Sequence, residues 1–223
     1  MVRLISREEV YYKSSLVDHC ISELQQLTYN RQGYNLNLNF NVGETETKGE
    51  DPYDHIKPFH HDRVILNDGS IISSGGKRRS DYLTYRSMAY IRFFELVNIQ
   101  QLYFMDELKY DLVSFPFNPL EKRDAFKSIV NRATYSEALE LDIAELSTLL
   151  PLVHQAARHS IPIIWFFSAN NQVPFTAFLC DDGNFHSRFP SEDRDKLMSA
   201  ASKAGLITGG LEVCRPGFPL EAI

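Results

Sequence analysis

The stretch from Asp51 to Asp62 holds the densest set of chemically capable side chains in the chain: Asp51, Asp54, His55, His60, His61 and Asp62. Imidazoles change charge near neutral pH and ligate transition metals, while carboxylates orient them, accept protons or join the ligand set. On that chemistry His55, His61 and Asp54 are the candidate catalytic groups. His55, His60, His61 and Asp62 are the candidate ligands of a divalent metal ion. A basic run follows, Lys77-Arg78-Arg79, and Arg86 lies one turn or two beyond it. Cations at the start of a helix can hold phosphate together with the free backbone N–H groups, so Lys77, Arg78, Arg79 and Arg86 form the candidate anion-binding set. Joined, the two sets describe a metal-dependent phosphodiesterase or nuclease.

The segment Asp54-His55-Ile56-Lys57-Pro58 resembles the DHIxP opening of HNH-type nucleases. The resemblance implies an Asp that orients a base histidine, with a metal opposite. The chain departs from that pattern downstream, where a helix-borne His or Asn should follow. No His occurs between His61 and His154, and the next helix offers only Asn98. Gly69–Lys77 evokes a phosphate loop, but Ile71, Arg78 and the glycine spacing exclude one. His154 and His159 are five apart and so do not share a helix face. His186, just after an Asp182-Gly183 turn, reads as a lone structural histidine. The cysteines, Cys20, Cys180 and Cys214, have no CxxC spacing, which fits a reducing compartment without a zinc ribbon. GxSxG, HExxH, dinucleotide-binding and kinase motifs are absent from the sequence.

These residues need elements to hold them. Ser80–Asn98 is predicted as the central helix, with Ser80 as its cap and Asp81 near the positive end of the dipole. At about 100° per residue, Tyr82, Leu83, Tyr85, Ala89, Tyr90, Phe93, Phe94, Leu96 and Val97 share one half of the circumference. Arg86 projects from the middle of that apolar half, where its charge needs an acid, carbonyls or an anionic ligand.

Upstream, Leu16, Cys20, Leu24 and Leu27 predict a helix over Lys13–Tyr29. Tyr34–Val42 alternates without a fault and predicts a half-buried strand. A polar loop, Gly43–Pro58, precedes a predicted hairpin: Arg63–Leu66, an Asn67-Asp68-Gly69 turn, then Ser70–Ser73. Beyond the central helix come strands at Gln101–Met105 and Leu112–Phe117, a helix at Leu120–Arg132, and a longer helix starting at Ser136. That last helix follows from Leu139, Ile143, Leu146, Leu150, Val153 and Ala157, with Pro151 kinking or restarting it. Strands at Ile161–Phe167, Pro174–Cys180 and Phe185–Phe189 then form a meander, and a helix runs from Ser191 to near Gly205. Helices and strands in blocks predict an α+β fold, with antiparallel sheet packed against several helices. One domain is expected over 1–223; a division into two lobes would fall near 118–135.

Composition bounds the function. A net charge of −6 argues against broad binding to nucleic acid or anionic membranes and leaves only a local basic patch for either. No run reaches the roughly 18 uncharged apolar residues of a membrane span, and charged residues after Met1 argue against a secretory signal. A cytoplasmic location is the expectation. Aromatics at 12%, with the acidic balance and missing motifs, favour a non-catalytic interaction protein without a cofactor. An immunity protein or an accessory subunit of a larger bacterial-type complex, bound to another protein chain, fits that reading. The phosphodiesterase or nuclease using 51–62 is the alternative.

Overall fold

A computed structural model describes residues 1–32, 54, 65–66, 68–74, 79–109, 111–113, 120–157, 164–169, 172–180 and 182–214. In chain order the elements are β1 (Val2–Ile5), α1 (Arg7–Lys13), α2 (Ser15–Gln32), β2 (Asp68–Ser74), α3 (Arg79–Leu96) and β3 (Gln101–Asp106). They continue with α4 (Leu120–Val130), β4 (Ala138–Asp142), α5 (Leu146–Ala157), β5 (Ile164–Ser168), β6 (Thr176–Leu179), β7 (Phe185–Phe189), α6 (Arg194–Lys203) and β8 (Leu206–Gly209). A 3-10 turn, Leu211–Cys214, follows β8. The fold is α+β. Among the described residues, eight strands join one antiparallel sheet in the order β1-β4-β3-β5-β6-β7-β2-β8.

The sheet is covered on both sides. In β3, Leu102 and Phe104 face one way while Tyr103 and Met105 face the other, and all four are buried. In β5, Ile164 and Phe166 oppose Trp165 and Phe167 in the same manner. A strand with a helix layer on each face buries both sets of side chains, so it loses the apolar–polar alternation of a solvated one. Leu102, Phe104 and Phe166 pack with residues of α3, α4, α5 and α6 in the larger core. Tyr103, Met105, Trp165 and Phe167 pack with α1 and α2 in the smaller.

The central helix α3 lies against Phe175, just before β6, and Phe185, at the start of β7. Tyr90 stacks on Phe185 with centroids 4.2 Å apart, and Phe94 meets Phe175 edge-on at 5.5 Å. Ala89, Tyr90, Phe93, Phe94 and Val97 are buried as the helical period predicts, whereas Tyr85 and Leu96, at the margins of that face, are exposed. Truncating one of the fully buried rings, as in Phe94→Ala, would cost about 3–5 kcal/mol through lost transfer energy and the cavity left behind.

Three sequence expectations are corrected. Asp68 and Gly69 are not a hairpin turn. They open β2, which pairs with β7 (Asp68↔Phe189, Gly69↔Arg188) and further along with β8. The helix predicted from Ser136 begins later. Ala138–Asp142 is a strand between β1 and β3, with Leu139 paired to Leu4 and Phe104, and the helical period takes over at Leu146. Leu112 and Val113 lie in a turn and not in a strand. Pro151 sits inside α5 without ending it, because Leu149, Leu150 and Val153 around it are anchored in the core. The strand predicted at Tyr34–Val42 lies outside the described residues.

Candidate functional site: a cysteine–histidine centre beside a buried arginine

The β6–β7 hairpin positions the site. Leu179 pairs with Phe185 and Phe178 with His186, so the chain turns through Cys180 to Asn184. The turn is closed by Gly183 N–H donating to the Cys180 carbonyl at 2.8 Å and Cys180 N–H donating to the Asn184 carbonyl at 3.0 Å. Gly183 has φ +74°, a conformation that glycine adopts without strain. A Cβ there would overlap the Arg86 guanidinium and lie 2.7 Å from the His154 ring. Only a residue without a side chain fits.

Cys180 and His186 rise from the same face of the hairpin, since two-residue periodicity places Phe178 and Cys180 together opposite Asn184 and His186. The imidazole is stacked on Phe178, with centroids 4.5 Å apart, which sets its plane. Cys214 reaches the same point from the 3-10 turn after β8. Its Sγ lies 3.1 Å from His186 Nε2 and 3.4 Å from Cys180 Sγ. The three donor atoms all lie within 4.8 Å of one another, and the three residues are partly exposed. Asn184 Nδ2 donates toward Cys214 Sγ at 3.5 Å, and Asp182 Oδ2 stands 3.8 Å from the same sulfur. Burial, and then the adjoining Cys214, push the Cys180 thiol up to about 12, so Cys180 keeps its proton at neutral pH.

Arg86 supports this hairpin from below. The side chain is fully buried on α3, and its Nη1 donates to the Asp182 carbonyl. Burial works against its charge and pulls the guanidinium below its ordinary range, while Tyr90, Cys180, Asp182 and Cys214 act in the opposite direction. The misplaced charge of the central helix is thus spent on the turn that presents Cys180 and His186.

Of the other sequence candidates, Asp54 is placed on the opposite side of the sheet, with α1 and α2. It accepts from Arg7 Nε and Nη2 at 2.7 and 2.8 Å, from Tyr11 Oη at 2.6 Å and from Gln25 Nε2 at 2.6 Å. Arg7 also donates to Asp106 Oδ1 at 2.9 Å, and Arg7, Asp54 and Asp106 are almost wholly shielded from solvent. Burial works to raise the Asp54 carboxyl, but the Arg7 ion pair with the Tyr11 and Gln25 hydrogen bonds outweighs it and holds that carboxyl below its usual range. Asp54 and Arg86 therefore do not share a site. Arg79 opens α3. His55, His60, His61, Asp62, Lys77 and Arg78 lie outside the described residues.

The sequence reading passed over the centre that the fold assembles. Cys180 and His186 flank a recognisable Asp182-Gly183 turn, and that hairpin spacing was the available signal. Cys214 gave none, because it joins them only through the placement of β8 beside β2. Among the described residues no helix is long and apolar enough to cross a membrane. Searches against protein-family models, curated proteins and solved structures give no match for this chain.

Proposed function

We propose that the protein binds one thiophilic transition-metal ion, Zn²⁺ foremost, through Cys180, His186 and Cys214. The observation that carries this reading is the convergence of two thiols and an imidazole, from two separate chain segments, within 4.8 Å. Two sulfurs and one imidazole nitrogen suit Zn²⁺ or Cu⁺ and disfavour Mg²⁺ and Ca²⁺, which take oxygen. Tetrahedral zinc with sulfur at about 2.3 Å needs ligand atoms roughly 3.5–3.8 Å apart. The two separations from Cys214, 3.4 and 3.1 Å, come within a few tenths of an ångström of that, and the Cys180–His186 separation is no more than 4.8 Å. Asp182 stands close enough to swing in as a fourth ligand, or water takes that place. Asn184, donating to the Cys214 sulfur, would temper the basicity of the thiolate from the outer shell. Such an ion ties the segment after β8 to the β6–β7 hairpin and adds its binding energy to folding.

Titration of the reduced, metal-free protein with Co²⁺ and then Zn²⁺ tests it. The expected result is one equivalent of tetrahedral Co²⁺ with sulfur-to-metal charge-transfer absorption, displaced by Zn²⁺. The signal should be lost in Cys214→Ser and His186→Ala and kept in Cys20→Ser. Binding that survives in Cys214→Ser, or no stoichiometric binding at all, would sink the reading.

A second reading, the accessory or immunity-type interaction protein, draws support from Tyr85 and Met88, both exposed on α3 at 49% and 56%. Its test is recovery of a defined partner complex with the wild-type chain that Met88→Glu abolishes while thermal stability stays unchanged.

A further inference from the structure

We infer that Cys180 and Cys214 are an oxidisable dithiol that reacts with a hydroperoxide to form an intrachain disulfide. The inference concerns the same centre as the metal reading and adds a reaction to it. Three observations carry it. The two sulfurs are already 3.4 Å apart, against about 2.05 Å in a disulfide, so the bond needs a closing movement of little more than an ångström. Both residues are partly exposed, so a small peroxide can reach them, whereas Cys20 is buried at 3% against α1 and the inner sheet face. The two sulfurs also sit on unlike supports. Cys180 is pinned by the two backbone hydrogen bonds of its turn, while Cys214 ends a single 3-10 turn beyond the edge strand β8. The closing movement is assigned to Cys214, the less constrained of the two.

The reaction balances with the peroxide alone. The Cys214 sulfur attacks the terminal oxygen of ROOH, the O–O bond breaks, and the alcohol ROH leaves carrying the Cys214 thiol proton, with a sulfenic acid formed on Cys214 and Cys180 kept as the protonated second thiol. The second sulfur then displaces the sulfenic hydroxyl, which departs as water with the remaining thiol proton, and the S–S bond forms. Two thiols are oxidised by two electrons in total, and one peroxide is reduced. Because both sulfurs are also the proposed metal ligands, the disulfide and the metal complex exclude one another.

The test treats the reduced, metal-free chain with one equivalent of hydrogen peroxide, alkylates the remaining thiols after denaturation, and reads intact mass and peptide crosslinks. The expected product has one alkylated cysteine, Cys20, and a reducible Cys180–Cys214 crosslink within one chain. Cys180→Ser should stop at a sulfenic acid on Cys214 that dimedone traps. His186→Ala removes a metal ligand but keeps both sulfurs, so it should still form the crosslink. Three alkylatable thiols after treatment, a crosslink through Cys20 or between chains, or oxidation to sulfinic acid without a crosslink would each overturn the inference. Zinc binding can fail with the disulfide formed, and the disulfide can fail with zinc bound, so the two readings fall separately.

Discussion

Among the described residues two arginines, Arg7 and Arg86, are buried, and they are held in different ways. Arg7, on the α1–α2 side of the sheet, is enclosed by the carboxylates of Asp54 and Asp106. Arg86, on the α3 side, holds the backbone carbonyl of Asp182, in a hairpin turn whose flanks carry Cys180 and His186. A guanidinium cannot relinquish its proton, so each site had to supply acceptors. At Arg7 the supply is carboxylate, and the result is a closed cluster joining Asp54 to the first helix and the end of β3. At Arg86 the acceptor is a backbone carbonyl of the turn between Cys180 and His186, and Cys180 and Cys214 act with Asp182 to favour the charge that burial opposes. The first is a fastening for the fold; the second is a brace for the hairpin of the candidate site.

That contrast is most easily broken by removing each cation. Arg7→Met strands two buried carboxylates and is expected to cost about 3–5 kcal/mol, a fall in melting temperature on the order of 10 °C, with zinc affinity unchanged in the folded protein. Arg86→Met deprives one carbonyl of its donor and should cost about 1–3 kcal/mol while weakening zinc binding roughly 10- to 100-fold. Equal stability losses with no change in metal affinity would erase the distinction.

The glycines sharpen it on a smaller scale. Gly183→Ala combines a positive φ with overlap on Arg86 and His154, and should lose about 1–3 kcal/mol together with metal affinity. Gly205→Ala also carries a positive φ, but its Cβ would meet only the Tyr85 hydroxyl, at 3.3 Å. The expected loss there is about 1 kcal/mol, with affinity intact.

A pH dependence is expected near the Arg7 cluster, where the Glu107 carbonyl accepts from Gln25. Burial alone pushes the Glu107 carboxyl up to about 7 from an ordinary 4.5. Between those values the folded chain binds more protons than the unfolded one, so this group makes stability fall as pH rises through the window. Glu107→Gln should flatten that slope in urea midpoints measured across it. A variant that parallels the wild type at every pH would show that this carboxyl does not titrate in the window.

How far the sequence could be read depended on whether the decisive contacts were local. α3, α6 and the β5–β6–β7 meander were legible because helical periodicity and an Asp-Gly turn act within a few residues, although the cap expected at Ser80 lies inside α3, which already includes Arg79. The fold class followed from their order. Ala138–Asp142 misled, since Leu139, Ile143 and Leu146 satisfy a helical seam while Leu139, Leu141 and Ile143 satisfy alternation equally well. Pairing with β1 and β3 decided between them, and neither partner is nearby in sequence. Asp68-Gly69 misled for the same reason: turn chemistry was right, but β7 and β8 claimed the segment. The anomaly of Arg86 was visible from the helical wheel alone, yet its partner lies 96 residues away, and the Cys214 contacts with the hairpin span about 30.

The position of β2 has a consequence for how the chain is made. Its partner β7 begins to pair at Phe189 with Asp68, and β8 closes its other edge only at Leu206. On a ribosome adding about 5–20 residues per second, the roughly 120 residues between the two strands take on the order of ten seconds to arrive. Through that interval Ile71 and Ile72, both buried in the finished protein, belong to a nascent strand with neither neighbour yet synthesised. The far half of the sheet is therefore assembled last, and the strand that waits is the segment where nascent-chain chaperones would be expected to hold on longest.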